Sequence, residues 1–329
     1  MRNIIVALLL ALGVVASPAA ALAQERGQVR LGYNRAWVSP ALLIGLTQGY
    51  FRQAGVNVVE KSFDNPADIV LAIASGDLDA GVSPAGILFT AVQQGVKVRV
   101  VGVTQGSQSP PIAFKVRTDS GINSIADLRG KVAAVGAYGG NTDLYLRYWL
   151  TKAGLDPKAD MRIMFVPFHL TLSSLINGQI NIGALDPVQQ LMAEKQHPGQ
   201  LRSLFTYEDV TSGAIGNSNT NGLLLVFGNG FVERDRNTAV RFLEGYLRAI
   251  KAVHEDPMKA LDEWALVSKN DVVRMLRAPA TLPSDGKVYL DEFQFEADMA
   301  LRYGYLKQPI DVRSVIDNSL LDEAARRVM

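Results

Sequence analysis

The chain has 329 residues, 48% of them hydrophobic and 20% charged, with a formal net charge of +1. It contains no cysteine, which excludes disulfides, thiolate metal sites, thiol nucleophiles and a lipid-modified N-terminal cysteine. A near-neutral chain has no large field to attract nucleic acid or an anionic membrane face, so the electrostatics that matter are local.

Residues 1–23 read as an export signal. Arg2 precedes the apolar run IIVALLLALGVV, which breaks at Ser17-Pro18 before reaching the roughly 20 residues a membrane-spanning helix needs, and Ala21-Leu22-Ala23 offers a small-x-small cleavage pattern. Cleavage before Gln24 removes one basic residue and no acid, and the mature net charge falls to zero. A soluble monomer of a bacterial periplasm is expected, with about 300 residues folded as two lobes.

From Val29 onward, strands alternate with helices. VRLGY reads as a strand, Ser39-Pro40 caps a helix running through SPALLIGLTQGYFRQA to Gly55, and VNVVEKS is the next strand. Asn65-Pro66 caps PADIVLAIAS, which stops at Gly76; DAGV, the helix PAGILFTAVQQ and the strand VKVRVVGVT follow. After Pro110-Pro111 a related grammar restarts, with KVAAVG before TDLYLRYWLTKA, RIMFVPF before LTLSSLIN, and INIGAL before PVQQLMAEKQ. IASGDLDAGVSPA and LINGQINIGALDPV share a glycine spacing, Gly76 and Gly81 against Gly178 and Gly183. Beyond GNSNTNG come the strand LLLVFG and four helical stretches, DRNTAVRFLEGYLRAIKAVHED, DPMKALDEWALV, LDEFQFEADMALRYGYL and DNSLLDEAARRVM. This pattern predicts an α/β chain of mainly parallel sheets flanked by helices. Lobe 1 is assigned to 24–110 and 222–329, lobe 2 to 111–221, and the crossings at PPIAF and NTNGLLLV form a two-strand hinge.

The turn GAYGGNTD, ahead of the helix at Thr142, is the first candidate site. It is not a P-loop, because Asn141-Thr142 follows Gly140 where Lys-Ser/Thr is required, and Gly136, Gly139 and Gly140 do not make GxGxxG. What it offers is a set of unpaired amides at the positive end of a helix, open to an anion; an ordinary capped helix start is the alternative.

The runs ALLIGLTQGYFRQAGVNVVEKSFDNPADIVLAIASGDLDAGVSPAGILFTAVQQG, SGINSIADLRGKVAAVGAYGGNTDLYLRYWLTKAGL and LSSLINGQINIGALDPVQQLM together resemble the periplasmic substrate-binding proteins of ABC transporters of the nitrate/sulfonate/taurine type, a group related to the thiamine-pyrimidine synthases. The resemblance implies a two-lobe periplasmic binding protein fold of type II. It also implies a small molecule held in the cleft, hinge closure, and delivery to a permease with its ATPase. It favours use of the glycine turn, Tyr138, Gly139, Gly140, Asn141 and Thr142, for binding.

Ligands of such folds sit beyond the carboxyl ends of parallel strands, which adds further candidates. Tyr33, Asn34, Arg35 and Trp37 follow the first strand, where Arg35 pairs with an acid and the rings cover an apolar body; a solvated arginine and a packed tryptophan are the alternative. Ser83 precedes a helix, Gln105 and Ser107 lie in the turn before the first crossing, Phe168 and His169 follow RIMFVPF, and Asp186 either binds an amine or caps a helix. A small organic anion, a sulfonate or carboxylate, is the expected guest.

Enzymatic readings find less support. GVSPAG spaces its glycines one residue too far for a nucleophile elbow, and His169, His197 and His254 are dispersed with no HExxH, so no catalytic residue, metal or cofactor is expected. The related synthases carry a cysteine-rich motif that this chain lacks. An exported sensor serving a signalling receptor, and a synthase-like enzyme, remain as alternatives.

Overall fold

The computed structural model describes residues 27–34, 39–108, 110–276, 279 and 281–328; the expected export signal, Arg35 and Trp37 lie outside them. In chain order the elements are β1 (Gly27–Tyr33), α1 (Pro40–Thr47), α2 (Tyr50–Gln53), β2 (Val56–Ser62), α3 (Pro66–Ala74), β3 (Ala80–Ser83), α4 (Ala85–Gln93) and β4 (Val98–Gln105). There follow β5 (Ala113–Arg117), β6 (Val132–Val135), α5 (Asn141–Lys152), β7 (Arg162–Phe165), α6 (Thr171–Ile176), β8 (Ile182–Leu185), α7 (Pro187–Gln196), β9 (Leu201–Thr206) and α8 (Tyr207–Ile215). The chain ends with β10 (Leu223–Gly228), α9 (Asn229–Arg234), α10 (Arg236–Glu255), α11 (Pro257–Ser268), α12 (Leu290–Arg302) and α13 (Asn318–Val328).

These strands form two five-stranded sheets, ordered β2-β1-β3-β10-β4 and β7-β6-β8-β5-β9. β1, β2 and β3 are parallel, as are β6, β7 and β8, while β10 and β5 run antiparallel to their neighbours. Each antiparallel strand is the one that has just crossed from the other half, so both sheets share one plan: three parallel strands, a crossing strand, and an edge strand. The duplicated glycines sit at matching places. Gly81 in β3 and Gly183 in β8 leave no room for a Cβ, which would meet Ile69 Cγ2 at 2.4 Å and Thr171 Cγ2 at 2.5 Å, so each lets a helix lie close on its sheet.

The expected α/β two-lobe fold is present, with differences in detail. The single helix expected from Ser39 to Ala54 breaks at Gly49, whose φ of 71° ends one helix and starts another. The helix expected to run through LDEFQFEADMALRYGYL stops at Arg302, ahead of Gly304 at φ 83°. The hinge strand expected at PPIAF continues as β5 into the second sheet, while β9 and α8 were not expected; β9 pairs with a strand distant in sequence, so local pattern says little about it.

The main hydrophobic core runs through both lobes. α12 joins them: Phe293 stacks against Phe89 of α4 with ring centroids 4.7 Å apart, and the same cluster takes in Leu144 and Tyr145 of α5. Full burial of a side chain such as Phe293 stabilises the fold by about 1.5–3 kcal/mol. A smaller cluster ties the lobes at another point, where Leu261 and Ala265 of α11 and Val273 and Leu276 beyond it pack on Val188 of α7.

Candidate functional site

The ends of β4, β6 and β8 and the starts of β5 and β10 converge on a cleft with about 650 Å³ of atom-free space, part of it continuous with solvent. Pro84, Gln105, Gln108, Gly222, Leu223 and Trp264 line it from one side, and Gly136, Ala137, Gly140, Asn141, Thr142, Phe168, Asp186 and Tyr207 from the other, with Ile112 at the crossing.

The glycine turn forms one wall. Asp143, fully buried, accepts from Gly139 N at 2.8 Å and from Arg147 Nε at 2.7 Å, and Tyr305 donates to it as well, which holds the turn in place. Gly136 N donates to Thr142 Oγ1 at 3.0 Å, and Gly140 N to Ala137 O at 3.2 Å. Three amides of the turn are therefore satisfied internally, which narrows the expectation that the whole turn is open. α5 itself has no side-chain cap: its N-cap is Gly140, Thr142 Oγ1 is engaged with Gly136, and Asn141 Nδ2 donates to Glu296. The amides of Asn141 and Thr142, the first two of a 12-residue helix, have no acceptor among the described residues and lie at the cleft wall, where the helix's partial positive charge is concentrated.

α4 supplies a second uncapped start, behind Pro84, and the two helices nearly touch: a Cβ on Gly86 would lie 1.5 Å from Gly139 O. Opposite them, Asp186 caps α7, accepting from Gln189 N at 2.7 Å. Burial pushes its carboxyl up to about 6, against the lowering effect of that capping bond. Its alternatives were amine binding and helix capping; it caps the helix and also borders the cleft. Among the described lining residues Asp186 is the one charged side chain, with no Lys, Arg or His.

Behind Asn141 lie two fully buried carboxyls of α12. Glu292 accepts from Tyr145 OH at 2.5 Å, from Asn221 Nδ2 at 2.6 Å and from Asn221 N at 3.1 Å, and Glu296 accepts from Asn141. Burial raises both carboxyls above the usual range, Glu296 the more strongly because Glu292 lies beside it.

Gln105, Gly140, Asn141, Thr142, Phe168 and Asp186 of the sequence candidates thus share one cleft. Gly139 abuts it, fixed at φ 71°, and Ser83 is buried behind Pro84 with its hydroxyl on Pro84 O at 3.2 Å. The other described candidates lie apart from the lining. Tyr33 donates to Glu60 at 2.6 Å, Asn34 to Asp64 O at 3.0 Å and Ser107 to Ser218 O at 3.0 Å, while Tyr138 is 52% exposed and accepts from Phe165 N. His169 is exposed. Sequence reasoning missed Pro84, Gln108, Ile112, Tyr207, Gly222, Leu223 and Trp264. Pro84 adjoins the carboxyl end of β3 and was within reach of the strand-end rule; Leu223 opens the antiparallel β10 and was not, and Trp264 comes from a helix that only tertiary packing brings to the cleft.

A protein-family model described as NMT1/THI5 like matches residues 39–260. Over 176 residues the chain is 28% identical to the bicarbonate-binding protein CmpA of Synechococcus elongatus, a stretch covering 46% of this chain and 39% of that protein. Over 156 residues it is 26% identical to the 4-amino-5-hydroxymethyl-2-methylpyrimidine phosphate synthase of Schizosaccharomyces pombe, covering 47% of this chain and 43% of the synthase. The chain therefore matches less than half the length of either relative. The alkanesulfonate-binding protein SsuA from Xanthomonas axonopodis pv. citri, solved bound to MOPS, shares the fold with a TM-score of 0.70 at 19% identity, over 90% of this chain and 99% of that one.

Proposed function

The chain belongs to the NMT1/THI5-like family, and from that premise we propose that it is a periplasmic solute-binding protein that delivers a small organic anion, a sulfonate or carboxylate, to an ABC permease and its ATPase. The observation that carries this reading is the pair of unsatisfied amides of Asn141 and Thr142 at the uncapped start of α5, beside the uncapped start of α4 from the other lobe. An oxyanion between them gains hydrogen bonds and helix-end charge from both halves at once. Contacts made jointly by both lobes are what favour the closed state. Phe168, Trp264 and Leu223 cover the body of the guest and keep water from it.

The likeness to a sulfonate-bound binding protein and to a bicarbonate-binding one supports an anionic guest. The likeness to the synthase raises an enzyme reading, which gains nothing from the described lining residues: they include no histidine, lysine or cysteine. Under the binding reading the chain has no catalytic role and no cofactor, and works as a monomer. The test is a thermal-shift screen of the mature chain against sulfonates, carboxylates, pyrimidines and inorganic anions, since a ligand of the folded state raises Tm. Stabilisation by small organic sulfonates or carboxylates supports the reading; stabilisation confined to pyrimidines or inorganic anions overturns it.

A further inference from the structure

An acid pair lies behind the cleft wall, hydrogen-bonded to an amide side chain that lines the cleft. Glu296 is fully buried, its Oε1 accepts from Asn141 Nδ2, and its Oε2 has no donor among the described residues. Its neighbour Glu292 is saturated with donors: Tyr145 OH from α5, and both Nδ2 and N of Asn221 from the second crossing. Neither carboxyl belongs to an ion pair among the described residues, and the other titratable group acting on the pair is the buried Tyr207 of α8. Two acceptor oxygens side by side in a buried setting repel unless a proton lies between them. Glu296 Oε2, the one oxygen of the pair with no donor among the described residues, is the place open to that proton, which leaves Glu296 Oε1 to accept. Asn141 must then turn its NH2 towards α12. Its Oδ1 is left with no donor among the described residues, on a residue that lines the cleft.

Resting on the binding reading above, we propose that Asn141 is a specificity-determining residue, locked by Glu296 and Glu292 so that its carbonyl oxygen, together with the Asp186 carboxyl, selects an anion that also carries an N–H donor. The cleft then offers two chemically distinct sets of partners that meet at Asn141. Main-chain amides at the start of α5 take the oxyanion, and two side-chain acceptors take an amino group, with no basic side chain among the described lining residues to compete for it. Glu296 does not touch the guest and acts through Asn141 as a positioning residue. Gln at 296 preserves the arrangement, because its amide NH2 donates to Glu292 while its carbonyl accepts from Asn141; Leu at 296 frees Asn141 to turn either way.

The test is calorimetric binding of matched pairs near neutral pH: ethanesulfonate against 2-aminoethanesulfonate, propionate against 3-aminopropionate, and benzenesulfonate against 4-aminobenzenesulfonate. The last pair separates a neutral amine from an ammonium. The amino member is expected to bind about tenfold tighter or more in at least one pair, the scale of one hydrogen bond to a charged group. Glu296→Gln should keep that ratio and Glu296→Leu should bring it close to one, while the unsubstituted member still binds. Infrared spectroscopy gives a readout independent of any ligand and of how Glu296→Leu folds: a protonated-carboxyl C=O band is expected in the wild type and lost in Glu296→Gln. Equal binding within every pair, or no such band, overturns the inference and leaves anion binding standing. Failure of all six compounds to bind removes the anion reading and the inference with it.

Discussion

Gly139 O occupies the position that a side-chain carbon on Gly86 would need, 1.5 Å from an ideal Cβ. The two residues belong to opposite lobes, so this backbone contact exists only while the starts of α4 and α5 are together. Gly86→Ala cannot be accommodated by a rotamer change, because the obstacle is a carbonyl oxygen. The lobes must part instead. Ligand affinity should fall by about tenfold or more, with little change in the unfolding midpoint of the ligand-free protein, as calorimetry and thermal melts of the variant would show.

Gly140 has a φ of −82°, and a Cβ there meets Ala137 and Pro84 no closer than 3.4 Å, so the backbone tolerates a side chain. A large one has only the cleft to enter. Gly140→Leu is expected to abolish detectable binding while shifting stability by less than about 1 kcal/mol, measured by urea unfolding alongside calorimetry.

Asp186 provides a pH signature. Its carboxyl is pushed from an ordinary 3.8 to about 6, so the native state holds the proton more tightly than the unfolded chain. The resulting stabilisation is complete below 3.8 and is lost as pH rises through about 6. The raised carboxyls of Glu292 and Glu296 act in the same direction, beginning above their ordinary 4.5. Asp186→Asn keeps a capping oxygen for α7 and should flatten part of the slope of urea midpoint against pH across that window, leaving the part due to α12.

If the cluster between α7 and α11 is a latch, breaking it should let the lobes open. Leu276 is 4% exposed against Val188, Leu261 and Val273. Leu276→Asp places a charge in that contact, and the lobes can escape the cost by opening. A larger radius of gyration in small-angle scattering, and ligand affinity weakened by about tenfold, are expected; an unchanged scattering profile would show that the latch is not coupled to closure.

Much of this architecture was legible because its signals are local. Ser39, Asn65 and Asp186 each accept from an amide of the helix that a following proline opens, as their spacing announced. Gly55, Gly76, Gly95 and Gly154 end helices with φ between 77° and 88°. The repeat built on Gly76, Gly81, Gly178 and Gly183 reflects the shared order of the two sheets. What was not legible depends on distant partners. β9 reads LRSLFT and is held by β5, some 90 positions away. Glu292 and Glu296 look like the wet face of an amphipathic helix, and only the packing of α12 between α4, α5 and α8 buries them. Gly139 offered an amide in sequence, but Asp143 four residues on takes it.

If the amides of Asn141 and Thr142 hold a guest's negative group, amide NMR reports on them directly. A titration of the mature chain with the tightest ligand from the thermal screen should move the Asn141 and Thr142 N–H proton resonances downfield and protect them from exchange, more than any other amide of the turn. Saturation that leaves those two resonances in place, with the largest changes elsewhere, would contradict the account.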